Sequence, residues 1–219
     1  MAAGKLYTVE PLGDRTVLLT CRDELVAQQL ANTIRQAHWQ GIENLVVAYQ
    51  SLAIHLDTRQ ESLSVWLHRL ASLKPTPLEL KPQLHIIPCC YELGEDLESV
   101  AKQLNIAPDK VVELHTSTVF TIYAIGFSPG FPYLGWQPKE LQGIARRSEP
   151  RLKVPAGSVA IVGKQSAIYP QATPGGWALI GRTPLKIVDV AAGYFPLCVS
   201  DQVQFTAISR DAFTNFHPQ

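Results

Sequence analysis

From Gly126 to Pro184 the chain reads GFSPGFPYLGWQPKELQGIARRSEPRLKVPAGSVAIVGKQSAIYPQATPGGWALIGRTP. These 59 residues carry nine of its fourteen glycines and eight of its sixteen prolines. A long helix does not survive that density, because each proline removes a backbone donor and each interior glycine adds an entropic cost. Between the breakers sit short apolar runs, Val159-Ala160-Ile161-Val162 and Ala178-Leu179-Ile180. Strands of that length, joined by rigid turns, predict a small β-barrel.

Upstream of this stretch the texture is different. Asp96 to Leu104 puts Leu97, Val100, Ala101 and Leu104 on one helical face, and Pro108 suits the first turn of a second helix through Val111, Val112 and Leu114. Residues 1–80 alternate strands and helices. Leu6–Glu10 and Thr16–Cys21 read as strands around the turn Pro11-Leu12-Gly13-Asp14. Asp23 can cap a helix with Val26, Leu30, Ile34 and Ala37 at helical spacing, and Gly41 stops it. Leu45–Tyr49 and Leu52–Leu56 follow as strands. Thr58 with Glu61 reads as a capping box for a helix buried through Leu63, Trp66, Leu67 and Leu70. Lys74-Pro75-Thr76-Pro77 reads as a linker, and Leu84–Cys89 as a last strand. The order predicts a ferredoxin-like α/β sandwich over residues 1–80, followed by the barrel over 81–219, an α+β chain.

Composition narrows the function classes. The chain has 219 residues, 46% hydrophobic and 17% charged, which supplies a packed core and excludes wholesale disorder. Nineteen Lys and Arg balance nineteen Asp and Glu, so net charge points to no nucleic-acid partner. The longest apolar candidate, Leu45 to Leu56, is broken by Gln50, Ser51 and His55, and no membrane span is expected. The opening residues MAAGKLYTVEPLGDR have no apolar h-region, so a cytoplasmic location is expected. Cys21, Cys89, Cys90 and Cys198 form no CxxC and read as free thiols in a reducing compartment. No histidine has a partner at metal-ligand spacing, and no metal site is expected.

Local charge is uneven. Between Gly126 and Lys186 eight basic residues face only Glu140 and Glu149. Such an excess suits either an anion site, with arginine as the bidentate partner, or a solvated docking face. Two familiar patterns fail on chemistry. Gly126-Phe127-Ser128-Pro129-Gly130 matches the GxSxG elbow, but Pro129 has no N–H for an oxyanion. Gly157 to Lys164 is one residue too long for a phosphate loop, and Gln165 stands where Ser or Thr would hold Mg²⁺. His115, at a helix C-terminus where the dipole favours a protonated ring, is either a general base or a structural histidine. Four rigid loops remain, around Pro150-Arg151, Val154–Ser158, Ile168-Tyr169-Pro170 and Thr173–Trp177. Arginines and aromatics interleave them, which suggests a pre-organised pocket or subunit interface.

FSPGFPYLGW (127–136), RRSEPRLKVPAGSVAIVG (146–163) and IYPQATPGGWALIGRTP (168–184), preceded by VVELHTS (111–117), resemble the KipI family, also called the allophanate hydrolase subunit 1 family. The chain departs from it at Gln165-Ser166-Ala167, where the family typically reads Gln-Thr-Gly. The resemblance implies an N-terminal α/β domain and a cyclophilin-like barrel. It implies a subunit of an ATP-dependent 5-oxoprolinase that opens 5-oxo-L-proline to L-glutamate with subunits A and C, most directly C. ATP, with Mg, would belong to the complex, with no cofactor held tightly by this chain. Members that inhibit a histidine kinase, or that serve urea- and allophanate-type amidolyases and biotin-dependent carboxyltransferases, supply the alternatives. The skewed charge of residues 126–186 leads us to expect Arg146, Arg151 and Arg182 on an anion-receiving face with Tyr169, Thr173 and Trp177.

Overall fold

The computed structural model of the protein describes residues 5–77 and 82–217. The chain divides into two compact units, Met1–Lys81 and Pro82–Gln219. The boundary expected between residues 80 and 81 lies outside the described residues.

In the first unit β1 (Tyr7–Pro11) and β2 (Thr16–Cys21) form a hairpin. Asp23 then caps α1 (Glu24–Ala37) by accepting the Val26 N–H at 2.9 Å. The buried stripe of α1 includes Val26, Leu30 and Ile34, at the expected spacing. It ends at His38, in the left-handed region with φ 47°. β3 (Ile42–Ala48) and β4 (Ser51–Leu56) pair antiparallel, and α2 (Leu63–Ala71) follows. Its N-cap is Ser62, so the Thr58–Glu61 capping box does not form. Glu61 instead pairs with Arg69 at 2.8 Å.

The sheet order is β1-β2-β4-β3, antiparallel throughout. The strand expected to complete it, Leu84–Cys89, lies in the second unit, and β1 takes the outer place beside β2. Ile87 and Cys89 belong to the second unit's core, and that burial decides the strand's partner.

The second unit begins with this strand, β5 (Leu84–Cys89). A 3-10 turn at Tyr91–Leu93 leads to α3 (Leu97–Leu104) and α4 (Pro108–Thr116), the latter with Pro108 in its first turn. Then come β6 (Val119–Ile125), β7 (Pro132–Gly135), β8 (Arg151–Val154), β9 (Ser158–Val162) and β10 (Gln165–Ile168). β11 (Thr173–Gly175), β12 (Ala178–Arg182), β13 (Gln202–Ala207) and α5 (Arg210–Thr214) complete it.

Seven strands run in the order β12-β9-β10-β7-β6-β13-β5, with β5 parallel to β13, and β11 pairs β8 separately. Cys90 and Arg182 exchange backbone hydrogen bonds of 2.8 and 3.0 Å, which ties the end of β5 to β12 and nearly closes the barrel. Gly181 permits this approach, since a Cβ there would lie 2.5 Å from Cys89 Sγ.

Inside the barrel pack Phe120, Ile122, Leu134, Val159, Ile161, Ile180 and Phe205, sealed by Val100 and Val111 from the helices. Each such side chain contributes about 1.5–3 kcal/mol through burial. The alternate residues of β9 and β10, Ala160 and Ala167, face outward into a second cluster with Phe131, Val154, Tyr169, Trp177 and Leu179. Burial on both faces explains the uninterrupted apolar run of β9.

Candidate functional site

The second cluster opens into a cavity of about 210 Å³ lined by Phe127, Phe131, Tyr133, Arg146, Arg147, Pro150, Tyr169, Pro174, Gly175, Gly176 and Trp177. Phe131 and Tyr133 are two residues apart along β7 and its lead-in, and so share a face. β10 runs beside them with Ala167 opposite Tyr133, which brings Tyr169 to the same wall. Phe131 meets Tyr169 at 5.1 Å and Trp177 at 5.9 Å, ring planes at 84° and 89°. Edge-to-face contacts of this kind fix ring orientation as well as burying area. Phe127, at φ 67° in the tight turn closed by Ser128 N–H to Gly126 C=O at 2.8 Å, stands 64% exposed at the rim. That turn lifts the aromatic ring and leaves the Ser128 hydroxyl buried, the reverse of a nucleophile elbow.

Gly175 is required where it stands. A Cβ on it would lie 2.4 Å from the Tyr169 hydroxyl. Burial raises the Tyr169 pKa; the Trp177 N–H donated to its oxygen, and the charges of Arg146 and Arg151, pull the other way.

The arginines are not equivalent. Arg146 lines the cavity and, among the described residues, makes no hydrogen bond or ion pair. Arg147 also lines it, but donates from Nη1 to Asp96 at 3.3 Å, and its N–H donates to Gly176 C=O at 2.8 Å. Arg151 lies behind the wall. It donates to Asp96 at 2.8 Å and to Glu95 at 3.1 Å. Arg182 is elsewhere, in a cleft with Glu92, Glu95 and Arg210, its Nε donating to Ala156 C=O and its guanidinium over the Phe213 ring. The Thr173 hydroxyl is buried and is not among the cavity's lining groups. Of the six residues expected together, Arg146, Tyr169 and Trp177 share the cavity.

His115 is fully buried in the barrel, 2.7 Å from the Tyr91 hydroxyl and 2.9 Å from Ser166 Oγ. Desolvation lowers its pKa from 6.5 to about 3, outweighing the helix dipole that was expected to favour the protonated ring. Its partners are side chains rather than helix-end carbonyls. Among the described residues, no three His, Cys, Asp or Glu side chains converge as metal ligands, and no helix is long and apolar enough to cross a membrane.

The family described as carboxyltransferase domain, subdomain C and D, matches residues 7–196. This chain belongs to that family. Within it, the 5-oxoprolinase B subunit of Bacillus subtilis (strain 168) is 33% identical over 202 residues, 83% of this chain and 84% of that protein. The protein of the same name from Escherichia coli O157:H7 is 42% identical over 156 residues, 69% of this chain and 67% of its own. Among solved structures, TTHA0988 superposes with a TM-score of 0.75 at 34% identity, over 85% of this chain and 37% of its own. This chain therefore spans little more than a third of that relative. PH0987 from Pyrococcus horikoshii is 33% identical with a TM-score of 0.57, over 94% of this chain and 99% of its own. The Kluyveromyces lactis urea carboxylase, at 19% identity and a TM-score of 0.73, shares the fold. The relationship read from the three motif blocks is thus borne out.

Sequence reasoning missed Phe127, Phe131, Tyr133 and Arg147 as cavity residues of this carboxyltransferase-family chain. The signal was present: Phe131 and Tyr133 alternate at strand spacing in the same block as the rejected elbow. Rejecting the serine discarded its aromatic neighbours. The arrangement, aromatic walls and one uncompensated guanidinium, suits a small ring-bearing anion whose charge meets arginine and whose body stacks on rings.

Proposed function

We propose that this carboxyltransferase-family chain is the B subunit of an ATP-dependent 5-oxoprolinase, and that the aromatic cavity receives 5-oxo-L-proline. The observation that carries the reading is the cavity with Arg146 uncompensated in it, on a chain whose relatives bear that name over most of their length. The substrate is a five-membered lactam with one carboxylate. A bidentate contact to Arg146 fixes the acid, while Trp177 and Phe131 hold the ring and exclude water from its apolar edge. Tyr169, whose oxygen already accepts the Trp177 N–H, keeps its own proton to donate toward the lactam.

ATP supplies the activation that a stable amide needs before water can attack. At about 210 Å³ the cavity is below the roughly 300 Å³ at which sites for drug-sized ligands begin, which suits 5-oxo-L-proline better than a nucleotide. The nucleotide and its Mg²⁺ therefore belong with the partner subunits, A and C, of which C contacts the cyclophilin-like barrel. The chain alone is inactive, and the complex works in the cytoplasm.

Reconstitution with candidate A and C subunits tests the reading through ADP release. Release that requires this chain and 5-oxo-L-proline, and falls sharply with Arg146→Ala, is the expected result. ATP hydrolysis supported by urea instead would overturn it. So would a chain that adds nothing to turnover but blocks histidine-kinase autophosphorylation.

A further inference from the structure

Asp96 occupies the N-cap position of α3, yet its side chain caps no helix donor. Its buried carboxylate turns instead to the wall of the cavity. It accepts the Leu179 N–H at 2.7 Å, Arg151 Nη2 at 2.8 Å and Arg147 Nη1 at 3.3 Å. Its own N–H donates to Leu179 C=O at 2.8 Å. Leu179 is therefore gripped on both backbone groups, two residues beyond Trp177, while Arg147 is gripped by its head and, through Gly176, by its backbone. Glu95 takes the Nε of Arg151. Three guanidiniums near the cavity thus meet two carboxylates, and Arg146 is left over.

We propose that Asp96 is a positioning and specificity residue: by pairing Arg147 and, together with Glu95, Arg151, it leaves Arg146 as the unpaired guanidinium on the cavity lining and so selects a single carboxylate over a dianion. The inference rests on the cavity being the acid site. With Arg147 released beside Arg146, two guanidinium forks would face the cavity and favour dicarboxylates or phosphate. One fork beside aromatic walls favours a monocarboxylate with a ring. Asp96 touches no ligand and acts through the two arginines and the Leu179 backbone.

The test is calorimetric titration of the full chain with 5-oxo-L-proline, which carries one carboxylate, and with glutarate, which carries two. The wild type is expected to prefer 5-oxo-L-proline, and Arg146→Gln to lose both. Asp96→Asn keeps an oxygen for the Leu179 N–H but loses the negative charge, and should shift the ratio of the two dissociation constants toward glutarate by about tenfold or more. Should Asp96→Asn fail to fold, Asp96→Ser removes the same charge with a smaller polar side chain and should move the ratio the same way. An unchanged ratio in the folded variant, with both affinities held or lowered together, makes Asp96 merely structural and leaves the cavity reading standing. A wild type that binds neither acid, or an Arg146→Gln variant that binds like wild type, overturns the proposal and the cavity reading together.

Discussion

The hydroxyl of Tyr91 lies 2.7 Å from Nδ1 of His115 in the barrel interior, and Ser166 Oγ lies 2.9 Å from the opposite ring nitrogen. Burial holds the folded histidine at about 3 against 6.5 when exposed, so between those values the unfolded chain binds the proton and the folded chain does not. Stability then rises with pH through that window and is lost as pH falls below the unfolded value. The loss between about pH 7.5 and about pH 5 should reach about 2 kcal/mol. Urea denaturation at both pH values should show this drop in wild type and little of it in His115→Gln. Equal drops in the two proteins would assign the acid sensitivity to other groups.

Arginine substitutions should separate into two classes. Arg146→Ala removes no protein partner, so stability should hold within about 0.5 kcal/mol while 5-oxo-L-proline turnover in the reconstituted complex falls. Arg151→Ala strips a partner from the buried Asp96 and should cost about 1–3 kcal/mol of stability. Thermal melts beside turnover assays distinguish these outcomes. A stable Arg151→Ala protein would show that Arg147 and Leu179 alone satisfy Asp96.

Two adjacent glycines make a controlled pair. A methyl at Gly175 would meet the Tyr169 hydroxyl at 2.4 Å, whereas at Gly176 the nearest atom is 3.7 Å away. Gly175→Ala should displace Tyr169, destabilise the unit by about 1–3 kcal/mol and abolish ligand binding. Gly176→Ala should be much milder. Equal melting temperatures for the two variants would contradict the close packing.

The aromatic wall predicts a split between folding and binding. Phe131 is 2% exposed and packs on Tyr133, Tyr169 and Trp177, so Phe131→Ala should cost about 3–5 kcal/mol. Phe127 is 64% exposed at the rim, and Phe127→Ala should leave the melt nearly unchanged while weakening ligand affinity. Calorimetric affinity and a denaturation curve for each variant check this. A large stability loss for Phe127→Ala would mean the rim belongs to the core.

Local chemistry was legible wherever the decisive partner was near in sequence. The Asp23 cap, the Val26, Leu30 and Ile34 stripe and the proline opening α4 depend on neighbours within a few residues. The strand Leu84–Cys89 was recognised, but its sheet was not, because its partner β13 comes from the far end of the chain. The same limit governed the site. Arg146, Tyr169 and Trp177 were readable as heads on rigid loops. Arg151 and Arg182 looked identical to Arg146 until Asp96, Glu95, Ala156 and Phe213 came into place around them. Charge counted along a segment records how many cations there are, and pairing decides how many remain available.

The Cys90–Arg182 exchange fastens the end of β5 to β12 with two backbone bonds, and the Asp96 N–H to Leu179 C=O adds a third further along. A seam so narrow acts as a latch, where the cylinder can unzip before its strands separate. In hydrogen–deuterium exchange, the amides of Cys90 and Arg182 should mark the point from which opening spreads.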